Sequence, residues 1–186
     1  MKALIISDKD YQTESFHQLK AQALSYLQSS GFQIEEVSIG PKDLFFCTGC
    51  FGCWTEKPGE CVITDSIGQI NRTVMNSDLV IYLCPLIFGQ FSANIKNAID
   101  RSLPNMLPFF VTRSDGSTMH PPRYKSYPQQ VMVGYAENLS LDDAQLFIDI
   151  NKKHRNNVEV FIYQGPDTDI TEFLDKIDLK RVEGSL

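Results

Sequence analysis

The sequence predicts a doubly wound α/β domain: a parallel five-stranded sheet with helices on both faces. Two observations carry this. Short apolar or β-branched runs of strand length recur along the chain, and segments with helical apolar spacing lie between them. Such alternation builds βαβ units, whose crossovers are right-handed and whose helices cover both faces of one sheet. A third observation bounds the answer. The chain has 186 residues, 42% of them hydrophobic, and shows no repeat, low-complexity tract or linker, so a single domain over 1–186 is expected.

The first strand is the apolar run Lys2 to Ile6. Phe16, Leu19, Ala23 and Leu27 then recur at helical spacing, with Ser15 and Gln18 placed as a capping box, and the helix should stop at Gly31. A weaker strand runs from Phe32 to Ile39. The second helix follows Asp65 on Ile67, Ile70 and Val74, and the third strand is Leu79 to Cys84. The third helix follows Ser92 on Ile95 and Ile99, with Arg101 near its end. An insertion from Pro104 to Pro128 is too long for a routine connection, and His120, Arg123 and Tyr124 within it are candidates to cover a pocket as a lid. A strand over Gln130 to Tyr135 leads to a fourth helix. Ser140 and Asp143 mark its start, and the basic Lys152, Lys153, His154 and Arg155 suit the negative end of its dipole. Val158 to Tyr163 is the last strand, and Asp167 to Lys176 is a weaker helical segment.

The order expected for such a sheet is the flavodoxin-like 2-1-3-4-5. Ligands then sit beyond the carboxyl ends of the strands, at the switch point beside the first and third. Three loops reach that place: Ser7 to Ser15, Pro85 to Phe91, and the segment after Tyr135. Gly40 to Cys61 rises toward the same rim.

Charge narrows the partners. With 17 Lys+Arg against 23 Asp+Glu, the formal charge of −6 argues against holding nucleic acid by phosphate neutralisation. The opening MKALIISDKD turns polar after six residues, unlike a secretory leader. The longest apolar stretch, Leu79 to Phe88, contains Pro85 and is shorter than the ~20 residues of a membrane span. A soluble, cytoplasmic protein without membrane partners is expected. In that reducing compartment five cysteines do not read as a disulfide framework.

Four of them, Cys47, Cys50, Cys53 and Cys61, follow C-x2-C-x2-C-x7-C. Three close thiols can wrap corners of a cubane [4Fe–4S] cluster while a fourth arrives from a short excursion, with Gly49 and Gly52 letting the backbone curl. A loop of small thiols, some redox-active, accounts for the same residues. Zinc usually takes two separated C-x2-C knuckles, which this run lacks. The three histidines, His17, His120 and His154, are scattered, and no Ser–His–Asp or paired-carboxylate arrangement is present, so no catalytic side chain is assigned. Trp54, the only tryptophan, reads as loop packing.

Residues 1–103 resemble a known family, the NAD(P)H-dependent FMN reductase-like proteins of flavodoxin fold, and within it the iron–sulfur flavoproteins. The resemblance rests on the cysteine run, on Cys61-Val-Ile-Thr-Asp65 leading into a helix, and on Ser77-Asp78-Leu-Val-Ile through Pro85-Leu-Ile-Phe-Gly89 to Lys96 and Asp100-Arg101. It implies bound FMN, electrons from a donor such as NAD(P)H passed to a quinone, flavin or other small acceptor, a dimer or tetramer, and a cluster close to the flavin. Pro85, Leu86, Ile87, Phe88 and Gly89 would then border the isoalloxazine, with Ile87 where relatives carry Tyr. Relatives open the first helix with G-S-P-R-x-x-x-[NS], a phosphate cradle. Here the loop reads Ser7-Asp8-Lys9-Asp10-Tyr11-Gln12-Thr13-Glu14-Ser15, with three carboxylates crowding that place. Ser7, Lys9, Thr13 and Ser15 are its candidate phosphate ligands. Tyr135 begins the loop that flanks the far edge of the flavin in relatives, and Lys96, Asp100 and Arg101 read as a helix-surface or interface ion network. Two rival functions share the fold. One is an electron carrier without small-molecule turnover, and the other is a member that has lost FMN and uses its thiols for redox or metal sensing.

Overall fold

The computed structural model of the chain describes residues 1–154 and 158–184; Arg155, expected at the end of the fourth helix, lies outside them. In chain order the elements are β1 (Lys2–Asp8), α1 (Glu14–Ser29), β2 (Gln33–Ile39), α2 (Gly52–Thr55), α3 (Ile67–Asn76), β3 (Leu79–Ile87), β4 (Gln90–Phe91), α4 (Ala93–Asp100), β5 (Val111–Thr112), β6 (Thr118–Met119), β7 (Ser126–Tyr127), β8 (Gln129–Tyr135), α5 (Leu141–His154), β9 (Val158–Tyr163), α6 (Ile170–Leu174) and β10 (Val182–Glu183).

The five long strands pair in parallel in the order β2-β1-β3-β8-β9, the 2-1-3-4-5 order expected. Alternate residues of each inner strand enter opposite cores, which is why these strands read as unbroken apolar runs. Ala3, Ile5, Leu79, Ile81, Val131 and Val133 pack beneath Phe16, Leu19 and Leu27 of α1 and Ile170 and Leu174 of α6. Leu4, Ile6, Val80, Tyr82 and Met132 pack on the other face, beneath Ile67, Ile70 and Val74 of α3, Ile95 of α4 and Phe147 of α5. The edge strand β2 carries Glu35 and Glu36, both exposed, which blunts pairing with another chain.

α1 begins two residues earlier than the capping box implied. Thr13 is its N-cap, extended at φ −77°, ψ 172°, and its hydroxyl accepts from the Phe16 N–H. Ser15 already lies inside the helix, so no box forms, and the Gln18 side chain donates to Glu14 instead. The other end matches expectation. Gly31 takes φ +75°, its N–H reaches the Gln28 carbonyl and the Phe32 N–H reaches Leu27, the pairing of a Schellman stop. At α5 the Ser140 hydroxyl accepts from the Asp143 N–H as anticipated.

The 104–128 insertion is held down by local structure. β5 and β6 form a small hairpin, and β7 pairs with β10. Trp54 donates its indole N–H to the Leu103 and Met106 carbonyls, and its ring lies 4.8 Å from His120. Arg123 donates to the Pro104 and Met106 carbonyls, so this cation ties the excursion to itself. Among the described residues no helix is long and apolar enough to cross a membrane.

Candidate functional site at the carboxyl rim of the sheet

β1 and β3 are adjacent strands, and their carboxyl ends carry the two loops expected to hold a ligand. After β3 the chain reverses into the antiparallel β4 through Phe88 and Gly89, at φ +51° and +71°. Both angles lie in the left-handed region that a bulky side chain rarely adopts. Gly89 is required there. A Cβ on it would lie 2.8 Å from Leu146 Cδ2 and 3.2 Å from the Asp143 backbone, so only glycine lets the turn rest on α5. Phe88 has no such reason, yet its ring is 89% exposed. A strained aromatic presented to solvent at a switch point marks a surface built for something other than stability. Of the five residues expected to border a ligand, Pro85, Leu86 and Gly89 are buried, and Ile87 and Phe88 present side chains.

The first loop is arranged differently from its sequence reading. Asp8 does not crowd an anion site. It turns inward, fully buried, and accepts from Ser92 Oγ (2.5 Å), Asn94 Nδ2 (2.9 Å) and the Asp10 N–H (2.9 Å). Ser92 is the N-cap of α4, so a buried carboxylate sits against the positive end of that helix. Ser7 is also buried, its hydroxyl shared with Ser38. Lys9, the only cation between residues 7 and 15, pairs with Asp43 at 2.6 Å. Tyr135 lies beneath the loop, 1% exposed, and donates its hydroxyl to the Tyr11 carbonyl. Burial, then the thiol of Cys84 and the carboxylate of Asp8, hold that phenol well above its ordinary value, so it remains a fixed donor.

At Thr13 and Ser15 the start of α1 faces a carboxylate of the chain itself. The Ser15 N–H donates to Glu137 Oε1 at 3.4 Å. The Thr13 hydroxyl, the Ser15 N–H and the Ser15 hydroxyl together hold the Glu137 carboxyl below the usual carboxylate range. These donors therefore fit an oxyanion at the start of α1.

The cysteine loop is fastened at both ends by a buried ion pair. Arg101 is 2% exposed and meets Asp65 through two contacts, Nη1 to Oδ2 at 2.9 Å and Nη2 to Oδ1 at 3.1 Å. The same guanidinium donates to the Phe45 carbonyl and, at 3.3 Å, to Cys61 Sγ. Asp65 accepts from the Phe45 and Ile67 N–H groups. Burial works to raise the Asp65 carboxyl, but the Phe45 N–H, the guanidinium and the Ile67 N–H outweigh it and leave the group below its ordinary value. This corrects the reading of Arg101 as part of a surface network. Only Lys96 and Asp100 form an exposed pair, whereas Arg101, just past the end of α4, folds back under the loop.

Cys47 and Cys50 are exposed, Cys53 and Cys61 partly buried, and Cys84 is a separate core thiol. Gly49 at φ +66° and Phe51 at +57° curl the backbone, and a Cβ on Gly52 would strike Val62 at 2.7 Å. Burial first, and then the other three thiols of the run, push the Cys53 thiol up, while the Gly52 N–H and Thr48 hydroxyl bring Cys50 down. The four sulfurs thus share one electrostatic neighbourhood with N–H donors around them. Among the described residues, no three of these or other ligand side chains converge on one point. The donor chemistry suits a soft, thiolate-bound centre, and holding one requires the exposed arm of the loop to close.

Sequence reasoning missed Glu137 and the depth of Arg101. Both lay within segments it quoted, but neither burial nor a contact between residues 122 positions apart has a local signal.

The chain is 42% identical over 82 residues, 44% of its length, to an iron-sulfur flavoprotein of Archaeoglobus fulgidus, and spans only 36% of that relative. It is 26% identical over 151 residues to an iron-sulfur flavoprotein of Methanocaldococcus jannaschii, covering 81% of this chain and 77% of the other. Among solved structures, an azoreductase from Bacillus anthracis superposes with a TM-score of 0.62 over 95% of this chain and 90% of its own, at 14% identity. An NAD(P)H:quinone oxidoreductase from Methanothermobacter marburgensis gives 0.62 over 94% and 91%, at 11% identity. At such identities these two structures speak for the fold alone. A family profile described as NADPH-dependent FMN reductase matches residues 1–110, which hold β1, the thiol run, the strained turn and α4. The chain belongs to the NADPH-dependent FMN reductase family.

Proposed function

We propose that this chain is an FMN-dependent oxidoreductase that moves electrons from NAD(P)H to a small acceptor such as a quinone or flavin, in a reducing cytoplasm. The observation that carries the reading is an oxyanion cradle at Thr13 and Ser15, on the strand end next to a strained turn that presents Ile87 and Phe88. Thr13 and Ser15 hold the phosphate; Ile87 and Phe88 contact the ring while Pro85, Leu86 and Gly89 fix the turn's shape. FMN, when bound, supplies the hydride and electron chemistry itself. The chain's residues orient and desolvate. Tyr135 holds the first loop from beneath, and Ser7, buried against Ser38, fixes where β1 ends. Lys9, committed to Asp43, contributes by anchoring the loop to the Gly40 turn. No side chain at the rim is needed as a general acid or base.

Cys47, Cys50, Cys53 and Cys61 are the residues that would hold a [4Fe–4S] cluster, with Arg101 donating to the Cys61 sulfur. The exposed rings of Phe45, Phe46, Phe109 and Phe110 support self-association into a dimer or tetramer. A second reading, a fold member without FMN that uses its thiols for redox or metal sensing, is favoured by one observation: the cradle already holds a carboxylate.

The test is an absorption spectrum with flavin, iron and sulfide analysis on protein purified without oxygen, followed by NAD(P)H oxidation with a quinone. Flavin bands and turnover support the main reading. Iron and sulfide near ~4 per chain add the cluster. A colourless protein that FMN does not reconstitute overturns the main reading, and bound flavin without NAD(P)H oxidation would make it an electron carrier.

A further inference from the structure

We infer that Glu137 is a carboxylate latch: it occupies the phosphate end of the proposed flavin site and must withdraw before a flavin phosphate enters, so that it sets the preference between phosphorylated and unphosphorylated flavin. This rests on the FMN reading above and goes beyond it by naming the residue that opposes the cofactor's phosphate.

Geometry is the first argument. Glu137 lies in the connection between β8 and α5, yet its carboxylate reaches the opening turn of α1, where the Ser15 N–H donates to it beside the Thr13 and Ser15 side chains. Those are groups that a phosphate oxygen would use. One cradle cannot hold both.

Charge is the second. Every titratable side chain of the loop from residue 7 to 15 is acidic except Lys9 and Tyr11, and Lys9 is held by Asp43. Asp8 is turned away, but Asp10 and Glu14 remain on the same short segment. A phosphate dianion arriving beside them with Glu137 still seated would add two negative charges to a segment whose one cation, Lys9, already faces Asp43. Withdrawal of Glu137 removes both the competition for donors and the nearest repulsion.

Freedom to move is the third. Glu137 and Asn138 are exposed, between buried Tyr135 and the α5 cap Ser140. The amide contact is long, at 3.4 Å, so releasing it breaks no buried bond. The latch also links two loops of the site. When Glu137 leaves, the β8–α5 connection is no longer tied to α1.

The experiment titrates the apoprotein with FMN and with riboflavin, following quenching of flavin fluorescence, in the natural chain and in Glu137→Gln and Glu137→Asp. Glutamine keeps the shape and loses the charge; aspartate keeps the charge and shortens the reach. Glu137→Gln is expected to tighten FMN about threefold to fivefold, the scale of one exposed charged contact, and to leave riboflavin within about 1.5-fold. Glu137→Asp should shift FMN in the same direction by less. An unchanged ratio of FMN to riboflavin affinity, or weaker FMN binding in Glu137→Gln, overturns the latch while leaving the flavin reading intact. Equal tightening of both flavins also overturns it, because the residue would then act on the ring.

A second readout separates the two readings if no flavin binds: the Ser15 amide resonance in 15N-labelled protein, titrated with inorganic phosphate. A phosphate-dependent shift that is stronger in Glu137→Gln than in the natural chain supports the latch even though the FMN reading has failed. No response in either protein overturns both.

Discussion

Two helices open on the same rim of the sheet, and each receives a carboxylate from a distant element, but the two carboxylates are held in opposite ways. Asp8, at the end of β1, meets the start of α4 with three donors between 2.5 and 2.9 Å and no solvent exposure. Glu137 meets the start of α1 from an exposed loop, with its backbone contact at 3.4 Å. The same physics, a negative group at a positive helix end, produces a fixed part in one place and a removable one in the other. What differs is desolvation. A buried carboxylate must keep all of its donors, whereas an exposed one is nearly as well off in water.

The largest expected effect comes from a third carboxylate at this rim, Asp65, whose side chain is 7% exposed and, unlike Asp8, is faced by a full positive charge. Arg101→Met should lower stability by about 3–5 kcal/mol, since it leaves the Asp65 carboxylate buried and unpaired and frees both ends of the cysteine loop. The pair also has a pH signature. Asp65 is depressed in the folded state, so its contribution is present above the unfolded value of about 3.9 and disappears as pH falls through the lower folded value. Urea midpoints measured from pH 7 downward should show the natural chain losing this increment in acid, with the variant lacking it throughout. Identical acid profiles would mean that the ion pair is not what holds the loop.

Asp8→Ala is next, at about 2–3 kcal/mol, because Ser92, Asn94 and the Asp10 amide lose their shared acceptor and the Ser92 hydroxyl is buried. Glu137→Ala is the direct contrast and should cost about 1 kcal/mol or less, because its contact is exposed. Equal losses from the two would erase the distinction drawn between them.

How much of this was legible follows from the same distinction between local and distant information. The strand order and both cores could be read because Leu79 to Ile87 and its neighbours bury both faces, and unbroken apolar runs record that directly. The start of α1 was misread by two residues because Ser15 and Gln18 match a capping pattern that Thr13, already extended, pre-empts. Asp8 was recognised as a misfit in a phosphate loop, but a carboxylate's letter does not say which way it turns; its partners Ser92 and Asn94 lie 84 and 86 residues away. Arg101, one residue past α4, looks like a surface cation by position, and only the fold places Asp65 and Phe45 around it.

Smaller effects belong to the turn between the two helix ends. Gly89→Ala imposes a Cβ at φ +71° against Leu146 and the Asp143 backbone, and should cost about 1–3 kcal/mol by strain alone. The displaced turn should also weaken FMN in fluorescence titration. If FMN binding is lost while Glu137→Gln still tightens it in the unmodified turn, ring and phosphate contacts are separable.

A comparably small effect on stability, and the most informative sign, is expected at Phe88. Its ring is exposed and its backbone sits at φ +51°, so glycine removes strain without opening a cavity. Against this stands the larger backbone entropy glycine loses on folding, which leaves Phe88→Gly within about 1 kcal/mol of the natural chain in thermal unfolding. FMN and riboflavin should both bind more weakly to this variant, and by the same factor, because the ring of Phe88 meets the isoalloxazine that the two share. That outcome is the mirror image of Glu137→Gln, where only the phosphorylated flavin responds. Should Phe88→Gly instead destabilise the protein markedly and leave flavin affinity alone, the exposed ring would be a packing element, and the strained turn would lose its claim to the cofactor.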